Sequence, residues 1–161
     1  MFLRFKICSI MNLKIQTSPK RIFLADDDAD DRSLFAEALH KIDSLAILTQ
    51  AEDGKALMDK LYISVNPLPD VIILDINMPK LNGFDCLEKI RGDKGNLKNT
   101  PVIILSTCNC TATIEKAKKL GANFYAIKPN SFSGLNTLIN EIIQIDWSTN
   151  RKRKKNKFRL S

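Results

Sequence analysis

Four short apolar runs, each closed by side chains that can do chemistry, constrain this chain more than any other feature. Arg21-Ile22-Phe23-Leu24-Ala25 ends in Asp26-Asp27-Asp28, and Val71-Ile72-Ile73-Leu74 ends in Asp75. Val102-Ile103-Ile104-Leu105 is followed by the hydroxyls of Ser106 and Thr107, and Phe124-Tyr125-Ala126-Ile127 by Lys128-Pro129. A brief, almost wholly apolar run bounded by polar residues is the pattern of a strand buried on both faces by helices. In open α/β sheets ligands bind outside the carboxyl ends of the strands. Carboxylates, a hydroxyl and an ammonium gathered there would suit a hard cation and a phosphoryl group.

Between these runs the apolar spacing turns helical. Leu34, Phe35, Ala38, Leu39 and Ile42 mark one helix, with Asp30 or Asp31 as its cap. A weaker strand at Ala46–Gln50 leads to a helix from Gly54 or Lys55 to Ile63, with Ala56, Leu57, Leu61 and Tyr62 inward, ended by Asn66-Pro67 and Pro69. The loop Met78–Gly83 has turn chemistry at both ends and precedes a helix over Phe84–Arg91; Gly92–Thr100 reads as loop. A helix over Thr111–Leu120, stopped by Gly121, and one over Ser131–Gln144, buried through Leu135, Leu138, Ile139, Ile142 and Ile143, complete the body. Strand and helix thus alternate five times, as a parallel sheet covered on both faces requires.

The net charge of +7 over 161 residues belongs to the termini. Residues 1–20 carry four basic and no acidic residues and residues 148–161 carry seven and none, which leaves the body at −4. The expected organisation is an N-terminal extension (1–19), one domain (20–146) and a disordered basic tail (147–161). The tail run Arg151–Arg159 could meet nucleic acid or anionic lipid through charge alone, but a solubilising terminus is the favoured reading. Met11 is an alternative start to Met1, and the segment before it lacks the uninterrupted apolar region of a signal peptide. No apolar stretch approaches the roughly 20 residues that cross a bilayer, so the expected location is the cytoplasm. Cys8, Cys86, Cys108 and Cys110 match neither a zinc pattern nor a disulfide framework and are expected to be free thiols in a reducing compartment. The single histidine, His40, argues against a histidine nucleophile or a multi-histidine metal centre.

Asp26, Asp27 and Asp75, brought close, would raise one another's pKa values unless a cation were present. Mg2+ takes octahedral oxygen ligands, commonly one or two carboxylates with waters and phosphate oxygens. Asp28, Asp30 and Asp31 lie beyond the strand end and are better explained as helix-capping residues. Asp75, ending the most apolar strand, would be costly to bury unpaired. Beside Mg2+ and Lys128 it becomes a carboxylate able to attack phosphorus and form an aspartyl phosphate. Such transfer needs chiefly positioning and charge neutralisation, with no general base.

In order and spacing, Asp26-Asp27, the segment Val71–Gly83, the run Pro101–Thr107 and Tyr125-Ala-Ile-Lys-Pro129 resemble the receiver domain of two-component response regulators. The resemblance covers about residues 20–145. It implies a flavodoxin-like doubly wound sheet of five parallel strands in the order 2-1-3-4-5. Asp75 is then the phosphoacceptor, and Asp26 and Asp27 are the metal-binding pair, Asp27 the more direct ligand, joined by Asp75 and the backbone carbonyl of Asn77 around Mg2+. Ser106 bonds one phosphoryl oxygen and Lys128, before a cis-type Pro129, another. Tyr125 holds the place of the aromatic switch residue that turns inward when the hydroxyl residue moves; the plain alternative is a half-buried strand tyrosine with its hydroxyl in water. Cys108 and Asn77 occupy positions that in this family tune how fast the phosphoryl group is lost. The triplet Asp26-Asp27-Asp28 leaves a one-residue choice as to which carboxylates face the metal, and spacing favours the first two.

The implied role is a phosphoprotein switch of a two-component phosphorelay, a stand-alone receiver that takes its phosphoryl group from a histidine kinase or phosphotransfer protein and changes its contacts with a downstream protein. Its self-phosphorylation and self-dephosphorylation serve switching and not turnover. The main rival is a Mg2+-dependent phosphohydrolase of the haloacid dehalogenase type. That chemistry needs a second aspartate two residues after the nucleophile, where this chain has Asn77, and room for a cap domain. A degenerate, unphosphorylated receiver is opposed by the complete residue set, and a nucleic-acid-binding module built on the basic tail is the remaining alternative.

Overall fold

A computed structural model describes residues 18–63, 67–147 and 158–160. Five parallel strands, β1 (Arg21–Ala25), β2 (Ile47–Ala51), β3 (Val71–Asp75), β4 (Val102–Ser106) and β5 (Phe124–Ile127), form one sheet in the order β2-β1-β3-β4-β5. Helices α1 (Ala29–Ile42), α2 (Gly54–Ile63), α3 (Gly83–Arg91), α4 (Thr111–Lys119) and α5 (Phe132–Gln144) connect and cover them. This is the flavodoxin-like architecture expected from the sequence. The segment expected as loop after α3 contains a 3-10 turn over Asn96–Asn99.

Alternation along each strand divides the core in two. Ile22 and Leu24 of β1, Val71 and Ile73 of β3 and Ile103 and Leu105 of β4 face α1 and α5, packing with Phe35, Leu39, Leu138 and Ile142. Phe23, Ile72, Leu74 and Ile104 face the other way, against Leu57, Leu61, Leu87 and Ile90 of α2 and α3. Every residue of β3 and β4 is buried, which explains why those runs show no polar alternation. Burial of each such aliphatic side chain contributes about 1.5–3 kcal/mol. The edge strand β2 is buried only at its end, and its sequence is correspondingly the least apolar.

Several local expectations are corrected. Asp28, and not Asp30 or Asp31, is the α1 cap: its Oδ1 accepts from the backbone N–H groups of Asp30 and Asp31 at 2.8 and 3.3 Å. Tyr62 points outward, 60% exposed, and Met58 takes the inward position beside Leu57 and Leu61. Leu34 is exposed while Phe35, Ala38 and Leu39 are buried.

The domain also extends past the expected boundary. Trp147 is buried and packs edge-on against Phe124 at 5.9 Å between centroids. Residues 158–160 lie along β5: Tyr125 donates its N–H to Phe158 O at 2.8 Å, and Leu160 donates to Tyr125 O at 2.9 Å. Leu160 is buried, so the expectation of a disordered tail does not hold for these three residues. They occupy the hydrogen-bonding groups of a strand that would otherwise be an open edge. The rest of the basic run, residues 151–157, lies outside the described residues.

Candidate functional site

The carboxyl end of the sheet collects the predicted residues. β1 ends at Ala25, paired with Leu74, and β3 ends at Asp75, paired with Leu105, so Asp26, Asp75 and Ser106 emerge from adjacent strands. Parallel pairing in this register brings them together. Ser106 pairs with Ile127, and Lys128 donates its N–H to Ser106 O at 2.8 Å. Asp26, Asp75 and Ser106 are buried; Asp27 is exposed.

One carboxylate oxygen from each of Asp26, Asp27 and Asp75 lies within 4.8 Å of the others. This hard oxygen set fits a divalent cation such as Mg2+ or Mn2+. Asp28 caps α1 and stands outside the cluster. Asn77 stands in the turn after β3, its N–H donating to Asp75 Oδ1 at 3.1 Å.

Lys128 Nζ reaches Asp26 Oδ2 at 2.7 Å, Asp75 Oδ2 at 2.8 Å and Asp31 Oδ2 at 3.0 Å. Burial alone would lower the pKa of this ammonium, but its bonds to Asp26, Asp75 and Asp31 together raise it. Burial pushes the Asp26 carboxyl above its ordinary range, against the hydrogen bonds from Lys128 and the Asp28 N–H. The Asp31 contact was not foreseen. In sequence Asp31 is one of several acidic residues opening a helix, and only the fold shows that this helix starts beneath Lys128.

Two more residues complete the surroundings. Gly83, the first residue of α3, lies so close under Asp75 that an added Cβ would collide with the Asp75 carbonyl oxygen. Asp53 is buried after β2, accepts from the Ala56 N–H at 2.7 Å as a cap of α2, and pairs with exposed Lys80 at 2.6 Å. The Lys80 bond holds its carboxyl below the ordinary carboxylate range. Lys80 has a left-handed φ of 64°.

On the β4 side, Ser106 Oγ accepts from the Cys108 N–H at 3.1 Å. Tyr125 is fully buried, and its hydroxyl donates to Cys108 O at 2.6 Å, so the reading with the hydroxyl in water is not what the fold shows. Beside the expectation of free thiols, the structure pairs the sulfurs of Cys108 and Cys110 as a disulfide, with Cα atoms 5.5 Å apart. Spacing of one residue hid this pairing, because such a short bridge depends on how the loop turns. Cys86 is a buried free cysteine.

The model of the response regulator receiver domain matches residues 22–140, and the chain belongs to that family. It is a signalling switch of the two-component type, an assignment that does not favour the phosphohydrolase alternative. Chemotaxis protein CheY1 of Helicobacter pylori is 32% identical over 109 residues, spanning 68% of this chain and 85% of its own length. Among solved structures, the phosphorylated cyanobacterial phytochrome response regulator RcpA superposes with a TM-score of 0.73 at 32% identity, covering 81% of this chain and 96% of its own. The Mn2+-bound response regulator Rcp1 gives 0.69 at 30%, with the same coverages. Of some other curated relatives this chain spans only about half the length.

Proposed function

We propose that the chain accepts a phosphoryl group on Asp75 in a Mg2+-dependent reaction and passes the change to the surface through Ser106 and Tyr125. The observation that carries this reading is the convergence on Asp75 of a carboxylate cluster on one side and Lys128 on the other. The donors are a histidine kinase or a phosphotransfer protein, and the recipient of the signal is a downstream protein in the cytoplasm. Among the described residues no helix is long and apolar enough to cross a membrane.

Asp26, Asp27 and Asp75, with the carbonyl of Asn77, would hold Mg2+, which when bound neutralises charge on the phosphoryl oxygens. Asp75 supplies the attacking oxygen; the Lys128 ammonium, already 2.8 Å from that carboxylate, offsets charge at the same place. Forming the aspartyl phosphate exchanges the Asp75–Lys128 pair for contacts of Lys128 and the Ser106 hydroxyl with phosphoryl oxygens. Ser106 Oγ now holds the Cys108 N–H, and Cys108 O holds the Tyr125 hydroxyl. Any movement of Ser106 is therefore felt by the loop and by Tyr125, a two-state element biased by charge at one site.

Treatment with beryllofluoride or acetyl phosphate in the presence of Mg2+ tests the assignment. The wild type responds, and Asp75→Ala and Asp75→Asn do not. A response that survives either substitution removes Asp75 from its role. The basic tail as a nucleic-acid module is the weaker reading, because nothing in the site calls for it.

A further inference from the structure

We propose that Cys108 and Cys110 are a reversible dithiol–disulfide pair, a modification site at which a hydroperoxide sets the switch loop between β4 and α4. Three observations converge on it. The two sulfurs are joined, and their Cα separation of 5.5 Å lies within the range that a disulfide spans. Cys110 is exposed and Cys108 half-buried, so both are reachable from solvent. Cys110 is also the N-cap residue of α4, its sulfur 3.1 Å from the Thr113 hydroxyl in the first turn of that helix.

The consequence lies in what the Cys108 peptide touches. Its N–H is held by Ser106 Oγ at 3.1 Å and its carbonyl by the Tyr125 hydroxyl at 2.6 Å. Both switch residues thus bond to one half of the bridge. Closing Cys108 onto Cys110 removes conformations of this loop that the dithiol can visit. The conformation kept is the one in which Tyr125 is buried against Cys108.

The chemistry balances with a hydroperoxide as oxidant. The Cys110 thiolate attacks the peroxide oxygen, the O–O bond breaks, and a sulfenic acid and one water (for hydrogen peroxide) result after proton transfer. The Cys108 thiol then attacks the Cys110 sulfur, the S–O bond breaks, and a second water leaves. Two thiols lose two electrons and two protons, and the peroxide takes up both. A dithiol reductant reverses the bond by exchange. In a reducing compartment the dithiol is the resting form, as is usual for transient sensing disulfides. Cys86 does not compete: it is buried, and burial pushes its thiol up to about 12.

The test uses the whole chain, reduced with a dithiol and then exposed to hydrogen peroxide. Peptide mass spectrometry should show the peptide holding Cys108 and Cys110 lighter by two hydrogens, restored by reductant, with no such bond in Cys110→Ser. The oxidised wild type should bind beryllofluoride with Mg2+ at least about fivefold more tightly than the reduced form, the low end of ordinary site-to-site coupling. Cys110→Ser should bind equally after either treatment. Peroxide that leaves both thiols free, or carries them to sulfinic acids without an internal bond, overturns the proposal. The coupling rests on the Asp75 reading, but the two fail differently: a reduced chain that never binds beryllofluoride overturns the Asp75 assignment and the coupling with it. Equal binding by both redox forms overturns the coupling alone.

Discussion

At the scale of single residues, Lys128 organises the site. One ammonium, 15% exposed, faces three carboxylates from two parts of the chain, Asp26 and Asp31 near β1 and α1 and Asp75 at the end of β3. Removing it leaves Asp26 and Asp75 buried side by side without a counter-charge, so Lys128→Met should lower stability at neutral pH by about 3 kcal/mol. The sign of the pH dependence follows from the raised pKa of Lys128, above its ordinary 10.5. A cation whose folded-state pKa is raised contributes its full stability below the unfolded value and loses it as pH rises through the folded one. Urea unfolding of wild type and Lys128→Met should therefore differ by a constant amount from neutral pH to about pH 10, and the gap should close above that. A gap that is already closed at pH 8 would show that Lys128 is not the counter-ion. Added Mg2+ should narrow the gap at neutral pH, since the ion neutralises the same carboxylates.

At the scale of elements, the C-terminal end of the sheet is set by strand register, and the β5 edge by residues 158–160. Those three residues bond to both the N–H and the carbonyl of Tyr125 and bury Leu160 against the face that holds α1 and α5. Leu160→Asp places a charge in that apolar contact and should release the segment. Amide hydrogen exchange reads the outcome directly. The Tyr125 N–H, bonded to Phe158 O, should exchange at least about tenfold faster in the variant, since loss of protection by 1.4 kcal/mol is a factor of ten. Unchanged exchange at Tyr125 would mean that the pairing contributes nothing in solution. Arg91 does comparable work at the other end of the sheet, where its guanidinium bonds the carbonyls of Lys98, Thr100 and Gly121 and the Asn123 side chain. Burial pushes its pKa down to about 10, which still leaves it charged at neutral pH.

At the scale of the whole molecule, binding at the acidic pocket is linked to folding, because the unfolded chain does not hold Asp26, Asp27 and Asp75 together. Mg2+ at a hundred times its dissociation constant should stabilise the fold by about 2.7 kcal/mol, seen as a rise in Tm that a chelator reverses. Asp27→Ala, exposed and outside the core, should abolish that rise while leaving the metal-free Tm within a few degrees. Much of this protein was already determined by the sequence alone. Apolar runs too short for buried helices, alternating with helical spacing, dictated a parallel sheet, and the side chains that follow them dictated which end would carry chemistry. The convergence of Asp26, Asp75, Ser106 and Lys128 was legible because strand ends in a parallel sheet lie on one rim. Three further features were decided only by tertiary structure: Asp31 against Lys128, the Cys108–Cys110 bond beside Tyr125, and Leu160 on the β5 edge. None has a periodic or spacing signal, since each depends on the angle at which a loop or terminus meets a distant element. Local sequence sets which elements form; contacts between residues far apart in the chain exist only once the sheet has fixed where those elements stand.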